Sequence, residues 1–185
     1  MIAFIGLGNI GEKYKKTKHN AGFWVMDQYV HRKKLSFKGG PGEYVFAQHQ
    51  RLEMILVKPT TGMNRSGLAV QDVSKKWNLL PSDIYIILDD VDLPLGTLRI
   101  RPKGGDGCHR GMMDIIRRLG SNNIARIRFG IGTSDENMRP AERYVLRPFN
   151  PVHETEVEKM VGKCADALES IAIRGINISM NYFNR

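Results

Sequence analysis

The chain begins with MIAFIGLGNIG (residues 1–11), and this stretch decides the fold prediction. Its first five residues form an apolar run typical of a short buried strand, and glycines follow at once. After a polar, lysine-rich loop, residues 20–32 carry apolar side chains at helical spacing. A buried strand followed by a loop and an amphipathic helix is a unit from which α/β proteins are built.

The same alternation of strands and helices continues along the chain. Further strands are predicted at 44–49, 52–57, 84–88, 97–101 and 126–131, helices at 63–77, 112–119 and 151–172, and loops at 38–42 and 104–107. A length of 185 residues suits one domain. We therefore predict an α/β fold over residues 1–185, a single domain with a twisted, mostly parallel (mixed) β-sheet surrounded by α-helices.

Composition and charge narrow the class of protein. The net charge is +9, and residues 149–185 carry four Lys/Arg against five Asp/Glu, so the excess lies in the rest of the chain. A basic surface fits a polyanion such as nucleic acid, although a merely basic soluble protein fits equally well. No apolar run is long enough to span a membrane. Two cysteines without a CxxC spacing indicate neither disulfides nor zinc, and we expect a cytoplasmic protein.

The glycines at 6, 8 and 11 match the GxGxxG pattern of dinucleotide-binding proteins. In that pattern a helix begins at the glycines, and an acidic residue ends the next strand. Here residues 12–18 are polar, and Asp27 falls inside the predicted helix. The pattern instead indicates a turn whose backbone approaches another segment closely. A dinucleotide-dependent oxidoreductase remains a rival that a binding titration would test.

Several polar residues lie where the sites of α/β sheets gather, at strand ends and in the loops that follow. His19 stands between the lysine-rich loop and the helix, near Asn9, and an imidazole can take a proton from water. Asp89 directly follows an apolar strand, so it is the most buried candidate of three nearby acids. A partly buried carboxylate can hold an imidazole in one tautomer.

Other residues allow two interpretations each. Asn64 could cap the helix that follows or present its amide to a carbonyl oxygen. Cys108 beside His109 is a weak nucleophile candidate, and a small loop residue is the preferred interpretation. Basic side chains on two strands and the loop between them could face solvent or track phosphates; these are Arg99, Arg101, Lys103, Arg110, Arg126 and Arg128.

Four blocks in order resemble the bacterial peptidyl-tRNA hydrolase family. They are GLGNIGEKYKKTKHNAG (6–22), KPTTGMNRSG (58–67), DDVDLPLG (89–96) and GGDGCHRG (104–111), the last followed by RIRFGIG (126–132). The resemblance covers nearly the whole chain. It implies an enzyme that hydrolyses the ester between peptide and tRNA and so frees the tRNA for translation.

The resemblance also implies roles for individual residues. His19 is expected to act as general base on water, with Asp89 orienting it and Asn9 and Asn64 holding the substrate near the ester. Tyr14 and Met63 line the same cleft. The expected contacts to tRNA are made by the basic strands and loop, with Arg101, Lys103 and Arg128. No metal or cofactor is required, and we expect a monomer whose partner is peptidyl-tRNA, with no membrane.

The sequence departs from the family pattern within the fourth block. Arg110 stands where the family most often has asparagine, and Cys108 replaces a glycine. We hypothesise that Arg110 contacts tRNA phosphate rather than the peptide ester, because arginine adds length and charge. The main alternative is a non-catalytic RNA-binding protein on the same scaffold, since relatives of the family serve RNA splicing in chloroplasts. The joint presence of Asn9, His19, Asn64 and Asp89 favours the enzyme.

Overall fold

A computed structural model describes residues 1–184 and contains one seven-stranded sheet. The strands are β1 (Ile2–Gly6), β2 (Lys38–Gly39), β3 (Tyr44–His49), β4 (Met54–Pro59), β5 (Ile84–Pro94), β6 (Leu98–Arg101) and β7 (Ala125–Gly132). They follow the order β2-β3-β4-β1-β5-β7-β6. The four central strands are parallel, and both edges are antiparallel, so the predicted mixed α/β sheet is confirmed.

Helices cover both faces of this sheet. They are α1 (Ala21–Arg32), α2 (Ser66–Trp77), α3 (Arg110–Leu119), α4 (Ala141–Tyr144), α5 (Glu154–Arg174) and α6 (Ile176–Phe183). Alternate residues of β1 enter different cores, because successive side chains of a strand point to opposite faces. Phe4 packs in the core that includes α1 and α5, whereas Ala3 and Ile5 pack in the core that includes α2 and α3.

Two glycines explain how closely α1 approaches the sheet. A Cβ on Gly22 would lie 2.4 Å from the backbone nitrogen of Leu7 and 2.6 Å from the carbonyl oxygen of Ile87. A Cβ on Gly6 would lie 2.3 Å from the carbonyl oxygen of Gly22. The turn after β1 is therefore filled by the protein's own helix, which begins only at Ala21. This packing is unlike a dinucleotide fingerprint, and it brings the start of α1 against the ends of β1 and β5.

Some elements differ from the sequence prediction. β2 lies entirely within the predicted loop at 38–42, and its two residues pair with β3. β5 continues past Leu88 to Pro94, with an irregular register against β7 between Asp90 and Pro94. The short α4 and the C-terminal α6 were not predicted. Among residues 1–184, no helix has the length and apolar character needed to cross a membrane.

Candidate active site

His19 stands where a loop becomes a helix. A 3-10 turn over Lys18–Asn20 leads directly into α1 and carries the imidazole. The backbone N–H of His19 donates to the carbonyl of Val145 at 2.9 Å, which fastens this turn to the segment after α4. The side chain is 12% exposed. It lines a cleft of about 1110 Å³.

The carboxylate of Asp89 holds this imidazole. Asp89 is buried on β5, and Nδ1 of His19 lies 2.8 and 3.0 Å from its two oxygens. Burial alone would raise the pKa of the carboxyl, but His19 and His109 outweigh that effect and hold the pKa well below its usual range. Asp89 is therefore ionised at neutral pH. It accepts a hydrogen from Nδ1, which leaves Nε2 of His19 as the basic nitrogen.

A second imidazole binds the same carboxylate. Nε2 of His109 lies 3.1 Å from Oδ1 of Asp89, and the ring centroids of His19 and His109 are 4.9 Å apart. His109 immediately precedes α3, and its Nδ1 accepts the backbone N–H of Met112 at 3.3 Å. Because Nδ1 is an acceptor, Nε2 carries the hydrogen and donates it to Asp89.

These three side chains are close enough to be considered as metal ligands. Their nitrogen and oxygen atoms lie within 4.8 Å of one another. A histidine nitrogen that binds a metal must first lose its hydrogen. The nitrogens of His19 and His109 that face Asp89 are both hydrogen-bond donors, and the Met112 N–H fixes this tautomer of His109. The contacts favour a hydrogen-bonded network over a metal centre.

Asn9 presents a fixed amide to the cleft. Its backbone and the side chain of Asn20 exchange two hydrogen bonds, at 2.8 and 2.9 Å. Oδ1 of Asn9 accepts the backbone N–H of Met63 at 3.0 Å, which sets the orientation of the amide. Nothing among residues 1–184 accepts a hydrogen bond from Nδ2 of Asn9. Its N–H groups are therefore available to a ligand.

Tyr14, Met63 and Asn64 line the same cleft. Met63 is buried, and Asn64 is exposed on the 3-10 turn Met63–Arg65 that precedes α2. Asn64 does not cap α2, because the cap position falls on Arg65 and no side chain caps it. Of the two interpretations of Asn64, only the free amide fits. Tyr14 ends a 3-10 turn, with Nζ of Lys13 4.8 Å from its ring centroid.

One end of the cleft is basic. Arg101, Lys103 and Arg128 line it, and the first two are exposed. Arg128 lies opposite Arg99 in the β6–β7 pair, and its Nε donates to the carboxylate of Asp90. That bond leaves the two terminal nitrogens of the Arg128 guanidinium for another anion.

Arg126 differs from its neighbours because it is buried. Its Nε donates to the carbonyl of Ile124 at 3.0 Å, and one terminal nitrogen donates to the carbonyl of Gly105 at 2.6 Å. Burial lowers its pKa, with a further contribution from Arg128. Arg126 therefore holds the glycine-rich loop at 104–107 through its hydrogen bond to Gly105, and its side chain does not face solvent.

Arg110 lies at the mouth of the cleft. It opens α3, is exposed, and places its guanidinium 3.9 Å from the carboxylate of Glu142 on α4. An exposed pair at this distance contributes little to stability. Its guanidinium is therefore free to leave Glu142 for a stronger anion.

Comparisons with known proteins place the chain in one family. The peptidyl-tRNA hydrolase family model matches residues 3–185. The chain belongs to the peptidyl-tRNA hydrolase family. It is 38% identical over 184 residues to a peptidyl-tRNA hydrolase of Pseudothermotoga lettingae, covering 100% of this chain and 97% of the relative. It is 40% identical over 187 residues to one of Aquifex aeolicus, covering 98% and 95%.

Solved structures of the family share the fold. A crystal structure of the peptidyl-tRNA hydrolase from Acinetobacter baumannii superimposes with a TM-score of 0.89 at 28% identity, covering 100% of this chain and 94% of that one. The resemblance that the sequence blocks indicated is thus confirmed at the level of family and of fold.

The cleft brings together all the site residues that were predicted from the sequence. Asn9, Tyr14, His19, Met63, Asn64, Asp89, Arg101, Lys103, Arg110 and Arg128 all line it. His109 was not predicted as a site residue, because in the sequence it stands out only as a neighbour of Cys108. A histidine directly before a helix, after a glycine-rich loop, was the available signal. Its contact with Asp89 required knowing that α3 begins beside β5.

Proposed function

We propose that this protein hydrolyses the ester between a peptide and tRNA, releasing free tRNA. The observation that carries the proposal is the bond between His19 Nδ1 and the ionised Asp89, which leaves Nε2 as a base lining an open cleft. Nε2 takes a proton from water, and the water oxygen attacks the ester carbonyl. The tetrahedral intermediate then collapses, the bond from the carbonyl carbon to the ribose oxygen of tRNA breaks, and Nε2 returns the proton to that oxygen. Membership of the peptidyl-tRNA hydrolase family supports the choice of ester.

The charge that develops on the carbonyl oxygen needs donors already in place. Nδ2 of Asn9 is oriented by the Met63 N–H on its Oδ1, and Asn64 offers a second exposed amide. Donors that are held before the reaction stabilise an oxyanion without reorganising. Asn9 and Asn64 therefore hold the ester, while Tyr14 and Met63 line the cleft around it.

The basic end of the cleft suits the tRNA portion of the substrate. Arg101, Lys103 and Arg128 contact the RNA backbone, because each lines the cleft and carries cationic nitrogens that other residues leave free. Backbone contacts read the shape of RNA rather than its sequence. Arg110 contacts a phosphate at the mouth, after leaving Glu142.

The reaction uses no metal or cofactor in this proposal. Water, a base and oriented amides suffice for ester hydrolysis, and the donor tautomers around Asp89 oppose a metal there. We also propose that the protein is a cytoplasmic monomer, as expected for an enzyme acting on the tRNA of translation. Its mass in solution tests the monomer, and activity after chelator treatment tests the metal.

The rival is an RNA-binding protein that has lost catalysis. The wild-type protein is assayed with N-acetylaminoacyl-tRNA and with free aminoacyl-tRNA, and its affinity for deacylated tRNA is measured in parallel. Cleavage of the acetylated substrate in preference to the free one is expected. Binding of tRNA with cleavage of neither substrate would contradict the proposal and favour the RNA-binding protein.

A further inference from the structure

The residue before the base is a completely buried lysine. Lys18 is 0% exposed, and its Nζ donates to the carbonyl of Pro148 at 2.8 Å and to both carboxylate oxygens of Glu136 at 3.3 Å. Nζ also lies 4.1 Å from the ring centroid of Tyr144 and 5.0 Å from that of Phe149. All four partners belong to the segment around α4, remote from Lys18 in sequence.

A buried ammonium is an unusual choice for stability alone. Burial lowers the pKa of Lys18, and the charge of Glu136 acts against that change. Replacing a buried ion pair with packed apolar side chains is often neutral or stabilising. The hydrogen bonds of the Lys18 ammonium fix its position relative to Glu136 and Pro148. An apolar side chain would fill the space but would not fix that position.

That geometry concerns the turn that carries His19. The backbone N–H of Lys18 donates to the carbonyl of Arg147 at 3.1 Å, and that of His19 donates to Val145 at 2.9 Å. The ammonium group of Lys18 also donates a hydrogen bond to the carbonyl of Pro148, the residue after Arg147. The segment that holds His19 in place also supplies Val145 and Leu146 to the wall of the cleft.

We propose that Lys18 is a positioning residue for the reaction: its buried ammonium locks the turn bearing His19 to the segment at 144–149. The inference rests on the proposed function, in which His19 is the base. Lys18 lies outside the cleft lining and does not touch substrate. It acts through His19, whose Nε2 must keep its place relative to the bound ester.

The expected effect of losing this lock falls on the chemical step. A displacement of a reacting group by about 1 Å can lower a rate by about 100-fold. Lys18→Met keeps the length and apolar stem of the side chain and removes the charge. We expect kcat to fall by about 10- to 100-fold with KM changed less than about two-fold, because the RNA contacts are elsewhere.

A matched control and a rescue separate this effect from general destabilisation. Lys33→Met is the control, because Lys33 also pairs with a glutamate, Glu169 at 2.8 Å, and lies 5.8 Å from the ring centroid of Tyr29. It is expected to keep wild-type kcat. Lys18→Arg retains the positive charge and N–H donors and is expected to recover most of the lost rate.

A second variant covers the case in which Lys18→Met does not fold. Glu136→Gln keeps an acceptor but removes the opposing charge, and we expect lower kcat together with faster hydrogen exchange of the amides of Lys18 and His19. Unchanged kcat in either folded variant, a change in KM alone, or failure of Lys18→Arg to recover the rate would overturn the inference.

The same assay series distinguishes this inference from the proposed function. Wild type and His19→Ala are measured beside the Lys18 variants. If the wild type cleaves nothing, or His19→Ala stays active, the proposed function fails and the inference falls with it. If both behave as expected while Lys18→Met matches the wild type, only the role of Lys18 is wrong.

Discussion

His19 and His109 donate hydrogen bonds to the same carboxylate, with their ring centroids 4.9 Å apart. One imidazole comes from the 3-10 turn before α1 and the other from the residue before α3, and Asp89 on β5 joins them. The ionised carboxylate of Asp89 therefore accepts hydrogen bonds from both imidazoles. This arrangement fixes which nitrogen of each histidine carries hydrogen.

Removal of His109 is predicted to slow catalysis without abolishing it. His109→Ala deletes one donor to Asp89, so the carboxylate is held less firmly while its bond to His19 remains. A hydrogen bond to a charged group contributes about 1.5–3 kcal/mol, and we expect a fall in kcat of about 10-fold. Steady-state kinetics provide the measurement. A rate equal to that of the wild type would show that His109 has no role in orientation.

Stability at acid pH is predicted to depend on Asp89. Because the pKa of Asp89 is lower in the folded protein, its stabilising effect is complete above the unfolded pKa of about 3.9 and is lost as pH falls through the folded value. The free energy of unfolding should thus decrease below about pH 4 more steeply in the wild type than in Asp89→Asn. Urea unfolding at pH 6, 4 and 3 tests this. Parallel pH profiles for the two proteins would count against it.

The tRNA contact of Arg110 is predicted to appear in the salt dependence of binding. Arg110→Asn removes one cation from the mouth of the cleft, so the slope of log affinity against log salt should become shallower by about 0.7–0.9. Arg174→Asn, at the end of α5 and outside the cleft, is the control. Filter binding at several salt concentrations gives both slopes. An unchanged affinity and slope would show that Arg110 does not contact phosphate.

Close packing at the start of α1 is predicted to tolerate no added methyl group. Gly22→Ala places a Cβ 2.4 Å from Leu7 and 2.6 Å from Ile87, so we expect a loss of about 1–3 kcal/mol or more in the free energy of unfolding. Gly39→Ala is the control, since nothing lies within 4 Å of its added Cβ. Urea denaturation compares the two. Equal midpoints would mean that α1 can move away from the sheet at no cost.

The sheet was largely predictable because its signals are local. β1 reads as an uninterrupted apolar run, and α1 shows helical spacing, so both follow from periodicity. β2 was missed because two paired residues leave no pattern. β5 was ended at Leu88 because charged residues follow, yet pairing with β7 carries the strand on to Pro94. Pairing with β7 thus extended the strand through residues whose charge had suggested a loop.

The site residues that lie in the four family-like sequence blocks were predictable. Contacts between residues distant in sequence were harder to predict. Asp89 and His19 are 70 residues apart, and the resemblance to the family joined them. The sequence grouped Arg126 with the other basic side chains of the strands but could not show that Arg126 is buried and hydrogen-bonded to the carbonyl of Gly105. The sequence showed Lys18 only as one residue of a lysine-rich loop, because its burial depends on contacts with residues more than 100 positions away.

The central claim is that His19, held by Asp89, is the base that activates water. The most direct measurement is kcat for hydrolysis of N-acetylaminoacyl-tRNA by wild type and His19→Ala. His31→Ala, an exposed histidine in the last turn of α1, is the control. We predict that His19→Ala loses about 10²–10⁴-fold in kcat, that His31→Ala keeps its rate, and that both bind tRNA like the wild type. A His19→Ala protein that is folded and cleaves at close to the wild-type rate would contradict the account.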